Sequence, residues 1–156
     1  MEQHESMNEI LNDLVMINND RIAGYEKAIS ELSALDIDLK AAFEQMINQS
    51  KEYKEELGQK ILGHGGIVEN DTTASGKIYR AWMDIKSTLS DADRHSILAT
   101  CEFGEDAAGR AYDSALASGG LHDSDIRQLV EEERASLKKS HDLIKMQREA
   151  HKSLKN

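Results

Sequence analysis

The chain has 156 residues, a single cysteine, no proline and a net charge of −10. The length suits one domain with one core, and the charge argues against indiscriminate nucleic-acid binding by the molecule as a whole. Proline breaks helix interiors, so its absence, with only two Phe and one Trp, favours long helices over a sheet.

The first predicted helix covers about residues 5–32. Its apolar side chains recur at Met7, Leu11, Leu14, Ile22, Tyr25, Ile29 and Leu32, in steps that keep one face of a helix apolar. Asn18 interrupts the stripe. The second helix, about 37–62, carries Leu39, Phe43, Met46, Ser50, Tyr53, Leu57 and Ile61 on one side. Asp36 is its expected N-cap, and Gly63, Gly65 and Gly66 are expected to end it. The short link makes these two helices antiparallel neighbours.

Residues 63–73 form the longest irregular stretch, followed by a shorter predicted helix at about 74–89 with Ile78, Trp82, Ile85 and Leu89 on one side. Ser90-Asp91-Ala92-Asp93 resembles a capping box and opens a third long helix, about 91–118. That helix carries Leu98, Cys101, Glu105, Ala108, Tyr112 and Ala115 as its stripe. After Gly119-Gly120, Asp123 or Ser124 caps a fourth helix, about 124–153, with Ile126, Val130, Glu133, Leu137, His141 and Ile144 inward. Two tight hairpins joined by a long crossover that carries a short helix is the ferritin-like order. The expected fold is therefore an all-α, ferritin-like four-helix bundle, with residues 1–156 as one domain.

Glutamates fall on or beside every inward stripe: Glu26, Glu44, Glu105 and Glu133, with Glu102 one turn before Glu105. At ~1.5 Å of rise per residue, Glu26 and Glu44 lie roughly 13–14 Å from the first loop, and Glu105 and Glu133 roughly 20–22 Å from the Gly119-Gly120 turn. These depths sum to about 35 Å in helices of roughly 38–42 Å, so one layer could hold all four. Buried carboxylates cost several kcal/mol unless paired, protonated or metal-bound. A divalent metal would relieve that cost, and so would Lys or Arg partners, for which Arg21 and Arg110 are near enough in sequence.

The runs Gly24-Tyr25-Glu26, Ala42-Phe43-Glu44-Gln45, Ala81-Trp82-Met83-Asp84-Ile85-Lys86 and Cys101-Glu102-Phe103-Gly104-Glu105-Asp106-Ala107-Ala108 resemble a bacterial family of uncharacterised four-helix-bundle proteins in the ferritin-like superfamily. The resemblance covers about residues 7–118, and the last helix more loosely. The superfamily's di-metal site takes a Glu from each of two helices and a Glu-x-x-His from each of the other two. The resemblance thus implies Glu26 and Glu105 as lone glutamates, with Glu44 and Glu133 as the paired ones. Ile47 and Ser136 stand where the histidines would be, and no Glu-x-x-His occurs in the chain. What remains is an all-carboxylate site, of the kind that suits Mg²⁺, Ca²⁺ or Mn²⁺, with Fe as a further candidate, or else a polar layer without metal.

Other features have plainer readings. Cys101 is expected to be a small buried hydrophobe, His141 an interior or boundary histidine with a hydrogen bond, and Tyr25, Tyr53 and Tyr112 core side chains with satisfied hydroxyls. Gly24, Gly104 and Gly109 inside helices point to close approach or room for a ligand. From Arg134 onward seven Lys/Arg face two acids, leaving 12 basic and 27 acidic residues in the rest of the chain. One cysteine, no basic and apolar leader at the start and no apolar run of ~20 residues lead to the expectation of a cytoplasmic protein that does not span a membrane. No catalytic set is read. The leading expectation is a self-associating bundle, a homo-oligomer such as a dimer, whose carboxylate layer holds a divalent metal. Behind it stand a metal-free, stress-related interaction module and, last, a di-metal oxidoreductase or peroxidase.

Overall fold

A computed structural model of the chain describes residues 2–68 and 93–155. Four long helices account for almost all of them: α1 (Glu2–Glu31), α2 (Ile37–Gly63), α3 (Arg94–Ala117) and α4 (Ser124–Lys155). The short helix expected at 74–89, the first residues of the capping-box motif and the Trp82 segment lie outside the described residues.

Helix ends follow local chemistry. The Asp93 carboxylate accepts the Ser96 N–H at 2.8 Å to open α3. Asp123 accepts the Asp125 and Ile126 amides at 2.9 and 3.2 Å to open α4. Each satisfies donors that the first helical turn leaves without a partner. Asp36 departs from expectation. It sits at the N-cap position of α2, but its side chain makes no cap hydrogen bond. One oxygen instead accepts from Ser33 N–H and Oγ, and the other from Arg94 Nη1 at 3.0 Å. The carboxylate thus ties the α1–α2 turn to the start of α3. At the far end of α2, Gly65 adopts a φ of +77°, a left-handed conformation that glycine takes without a Cβ clash.

Residue pairs fix the topology. Asn8 reaches His64, and Arg21 reaches Met46 and Ser50, so α1 and α2 are antiparallel. Arg148–Glu102, Arg134–Asp113 and Arg127–Leu116 make α3 and α4 antiparallel. Asn18–Tyr112 and Arg21–Glu105 align α1 against α3, also antiparallel. It follows that α2 and α3 run in the same direction. The chain leaves α2 at one end of the bundle and begins α3 at the other, where Arg94 meets Asp36 and Asp38.

The core divides in two. One apolar cluster surrounds Leu11, Leu14, Leu57, Ile61, Ile126 and Val130; the other surrounds Tyr25, Leu39, Phe43, Leu98, Cys101 and Ile144. Between them the inward positions are polar: Asn18, Arg21, Ser50 and Glu105 are each 2% exposed or less. This break in the apolar packing is where the candidate site lies.

Candidate functional site

Helical periodicity turns Asn18 and Arg21, three residues apart on α1, toward the same interior layer. Arg21 sits between Ile17 and Tyr25, and its guanidinium is almost completely buried. Nε donates to Glu105 Oε1 at 2.6 Å and Nη2 to Oε2 at 2.9 Å, a two-pronged ion pair from α1 to α3. Nη1 donates to Ser50 Oγ at 2.9 Å and to the Met46 carbonyl at 3.3 Å, both on α2. The Tyr25 ring centre lies 5.4 Å from the guanidinium carbon, within cation–π range.

The network continues toward α4. Ser50 Oγ donates to Asn18 Oδ1 at 2.9 Å. Asn18 Nδ2 donates to the Leu14 carbonyl and to the Tyr112 hydroxyl, both at 2.9 Å. Tyr112 donates its proton to Glu133 Oε1 at 2.7 Å. A single hydrogen-bonded chain thus crosses all four helices, from Glu105 to Glu133.

Its two glutamates have different electrostatic surroundings. Burial alone would lower the pKa of Arg21, but the Glu105 carboxylate outweighs it and raises the value, so the guanidinium stays charged. Burial, and then the nearby Glu105 charge, push the Tyr25 hydroxyl and the Cys101 thiol well up. Cys101 is therefore a buried, unreactive thiol. Among the described residues, Glu133 has no cation beside it comparable to Arg21. Burial raises its carboxyl to about 8, against the pull of the Tyr112 hydrogen bond and with help from Glu56. Burial and then Glu133 raise Tyr112 as well.

Only part of the expected glutamate layer converges. Glu105 and Glu133 are buried, 2% exposed each, and belong to one network. Glu26 and Glu44 are exposed. Each follows an inward neighbour, Tyr25 or Phe43, at 0% exposure, and the ~100° turn to the next residue carries it outside. Glu102 is half-buried on the α3–α4 seam, where both its oxygens take Arg148. The four-carboxylate layer is thus corrected to two buried glutamates at different levels, because Glu133 meets Tyr112, about two turns along α3 from Glu105. Arg21, a candidate partner from its place in the sequence, fills the space. The connecting roles of Asn18, Ser50 and Tyr112 escaped the sequence reading, although Asn18 and Ser50 were visible as polar breaks in apolar stripes.

A di-metal centre does not fit these residues. Both Glu105 oxygens are taken by Arg21, Ile47 is packed in the apolar core, and Ser136 accepts a hydrogen bond from Gln49 at 2.8 Å. Among the described residues, no group of three or more His, Cys, Asp or Glu side chains is arranged to hold a metal ion. His141 lies at the α3–α4 boundary, with Nε2 2.8 Å from Asp106 and Nδ1 3.1 Å from Asp142. Gly109 reflects close approach: an added Cβ would lie 3.0 Å from Arg134 Nη1, and Arg134 is held across α3 by Asp113 at 2.7 Å. No described helix is long and apolar enough to cross a membrane.

No curated protein matches the chain significantly. Among solved structures, a mutant of Mycobacterium smegmatis Dps1 superposes with a TM-score of 0.81 at 13% identity, over 94% of this chain and 97% of that one. At that identity the likeness bears on fold alone, and it identifies the ferritin-like four-helix bundle. A family model described as "Domain of unknown function (DUF2383)" matches residues 6–118, which take in most of α1, all of α2 and α3, and five members of the polar chain: Asn18, Arg21, Ser50, Glu105 and Tyr112. The chain belongs to this DUF2383 family.

Proposed function

We propose that this protein is a metal-independent, self-associating helical module in which a buried arginine supplies the positive charge at the centre of a ferritin-like bundle. The observation that carries the reading is the two-pronged Arg21–Glu105 pair, with both carboxylate oxygens engaged and the guanidinium further tied to Ser50 and Met46. A buried ion pair is weak support for stability, but it can select one alignment among several. Here it joins α1 to α3 at a single level, and Asn18–Tyr112 repeats the alignment one turn away.

Self-association is supported by apolar side chains exposed at both ends of the bundle: Leu35 (90%) and Ile37 at the α1–α2 turn, Leu62 and Ile67 (81%) at the other. A cytoplasmic setting is supported by the lone thiol, Cys101. The test is metal analysis of purified protein, with sedimentation and thermal melting before and after EDTA. The expected result is an oligomer whose mass and melting temperature do not respond to EDTA, Mn²⁺ or Fe²⁺. Stoichiometric metal whose removal lowers the melting temperature would overturn the metal-independent reading. A strictly monomeric mass would overturn the self-association.

A further inference from the structure

The two seams that join the hairpins are unlike. Where α1 meets α3, apolar packing surrounds the Arg21 ion pair. Where α2 meets α4, the contacts are sparse and polar. Gln49 Nε2 donates to Ser136 Oγ at 2.8 Å, Ser140 Oγ donates to Gln49 Oε1 at 3.2 Å, and the Tyr53 hydroxyl also bonds Ser136. One turn along this seam, half-buried Glu56 of α2 comes within hydrogen-bonding reach of Glu133 on α4.

Glu133 is 2% exposed. Its Oε1 takes the only proton of the Tyr112 hydroxyl, and its Oε2 is buried without a hydrogen-bond partner. An ionised carboxylate can only accept. Two carboxylates in contact therefore need a proton between them, and a pair at this range cannot readily ionise twice. Among the described residues, the groups that act on the pair are acids and neutral donors. On α2, Glu52 adds a like charge and Tyr53 a neutral hydroxyl; on α4, Glu132 adds another like charge. From α3 comes neutral Tyr112. From α1 comes uncharged Asn18, with the Arg21 charge engaged by Glu105.

We propose that Glu56 and Glu133 share one proton and so form a latch across the α2–α4 seam, which opens when that proton is lost. This goes beyond the metal-independent reading and stands whether or not the protein self-associates. The sign follows from linkage. In the closed seam Glu133 is pushed up to about 8, whereas in an opened, hydrated seam it returns toward its ordinary 4.5. The closed form therefore binds the proton more tightly. Opening becomes easier as pH rises through that interval, by up to about tenfold per pH unit, and levels off above it.

Native-state hydrogen exchange of α2 and α4 amides between pH 5 and 9, corrected for base catalysis, reads the opening directly. In the wild type the opening constant should climb up to pH 8 and then flatten. In Glu133→Gln it should stay level, because an amide cannot ionise and can donate to Glu56. Glu56→Gln gives Glu133 a permanent donor in place of a like charge and should blunt the climb. A wild-type profile no steeper than that of Glu133→Gln overturns the proposal. A carboxyl-carbon titration of Glu133 by NMR needs no variant: a midpoint near 8 supports the latch, and one near 4.5 overturns it.

Discussion

Glu105 and Glu133 are the same residue type, equally buried, at two ends of one hydrogen-bonded chain, yet they are held in opposite ways. Glu105 faces a guanidinium that reaches both of its oxygens. Glu133 faces a tyrosine hydroxyl on one oxygen and has another glutamate close by. What differs is the partner, and not the depth: one buried carboxylate is paired with a fixed cation, while a neutral donor and a like charge leave the other holding its proton. The α1–α3 seam is therefore fastened by charge and the α2–α4 seam by a proton.

The strongest way to break this comparison is to remove the cation. Arg21→Met leaves Glu105 buried and charged without a partner, and loss of one member of a buried pair costs about 3–5 kcal/mol. Urea or thermal unfolding should show a loss of that size. Adding Glu105→Leu to the same chain removes the stranded charge, and replacing a buried pair by apolar groups is often neutral or better. The double variant should recover most of the loss. A double variant as unstable as Arg21→Met alone would mean that Arg21 matters through Ser50 and Met46 rather than through Glu105.

A smaller effect sharpens the other end. Tyr112→Phe removes the donor to Glu133 Oε1 and the acceptor for Asn18 Nδ2, at a cost of about 1–3 kcal/mol for groups left unsatisfied. The Tyr112 hydrogen bond lowers the Glu133 value, so its loss should raise that value further. Stability that depends on the bound proton is present at low pH and lost as pH rises toward the folded-state value. In Tyr112→Phe that loss should therefore extend to higher pH than in the wild type. Melting temperatures at half-unit pH steps would show it, and an alkaline limb that moves to lower pH would contradict it.

Sequence periodicity read the bundle well because each stripe is long and its apolar residues are regular. Leu11, Leu57, Leu98 and Ile126, one from each helix, are all fully buried. The hairpin–crossover–hairpin order followed from where the glycines fall and from the lengths of the links. The centre was harder to read for two reasons. Depth along an axis can be counted in residues, but the count is only as good as the placing of each turn: counted from Gly119-Gly120, Glu105 and Glu133 come out level, whereas Glu133 in fact meets Tyr112, about two turns along α3 from Glu105. Direction around the axis changes by ~100° per residue, so residues beside an inward position, such as Glu26 and Glu44, give no reliable sign of which way they face. Pairing between helices is not periodic at all: that Arg21 meets Glu105, and Asn18 meets Tyr112, depends on how the helices align, which no single stripe contains.

The smallest expected effect tests that angular argument. Glu26 and Glu44 are exposed, and substitutions at exposed positions away from caps and networks usually change stability by less than about 0.5 kcal/mol. Glu26→Ala with Glu44→Ala should therefore leave the unfolding midpoint nearly unchanged and leave the pH profile of the wild type intact, because neither carboxylate belongs to the chain from Glu105 to Glu133. Alanine also favours helix slightly, so a small gain is as acceptable as a small loss. A loss approaching that of Arg21→Met would place these glutamates with the buried pair after all. The contrast between Glu105 and Glu133 would then have to be redrawn with four acids instead of two.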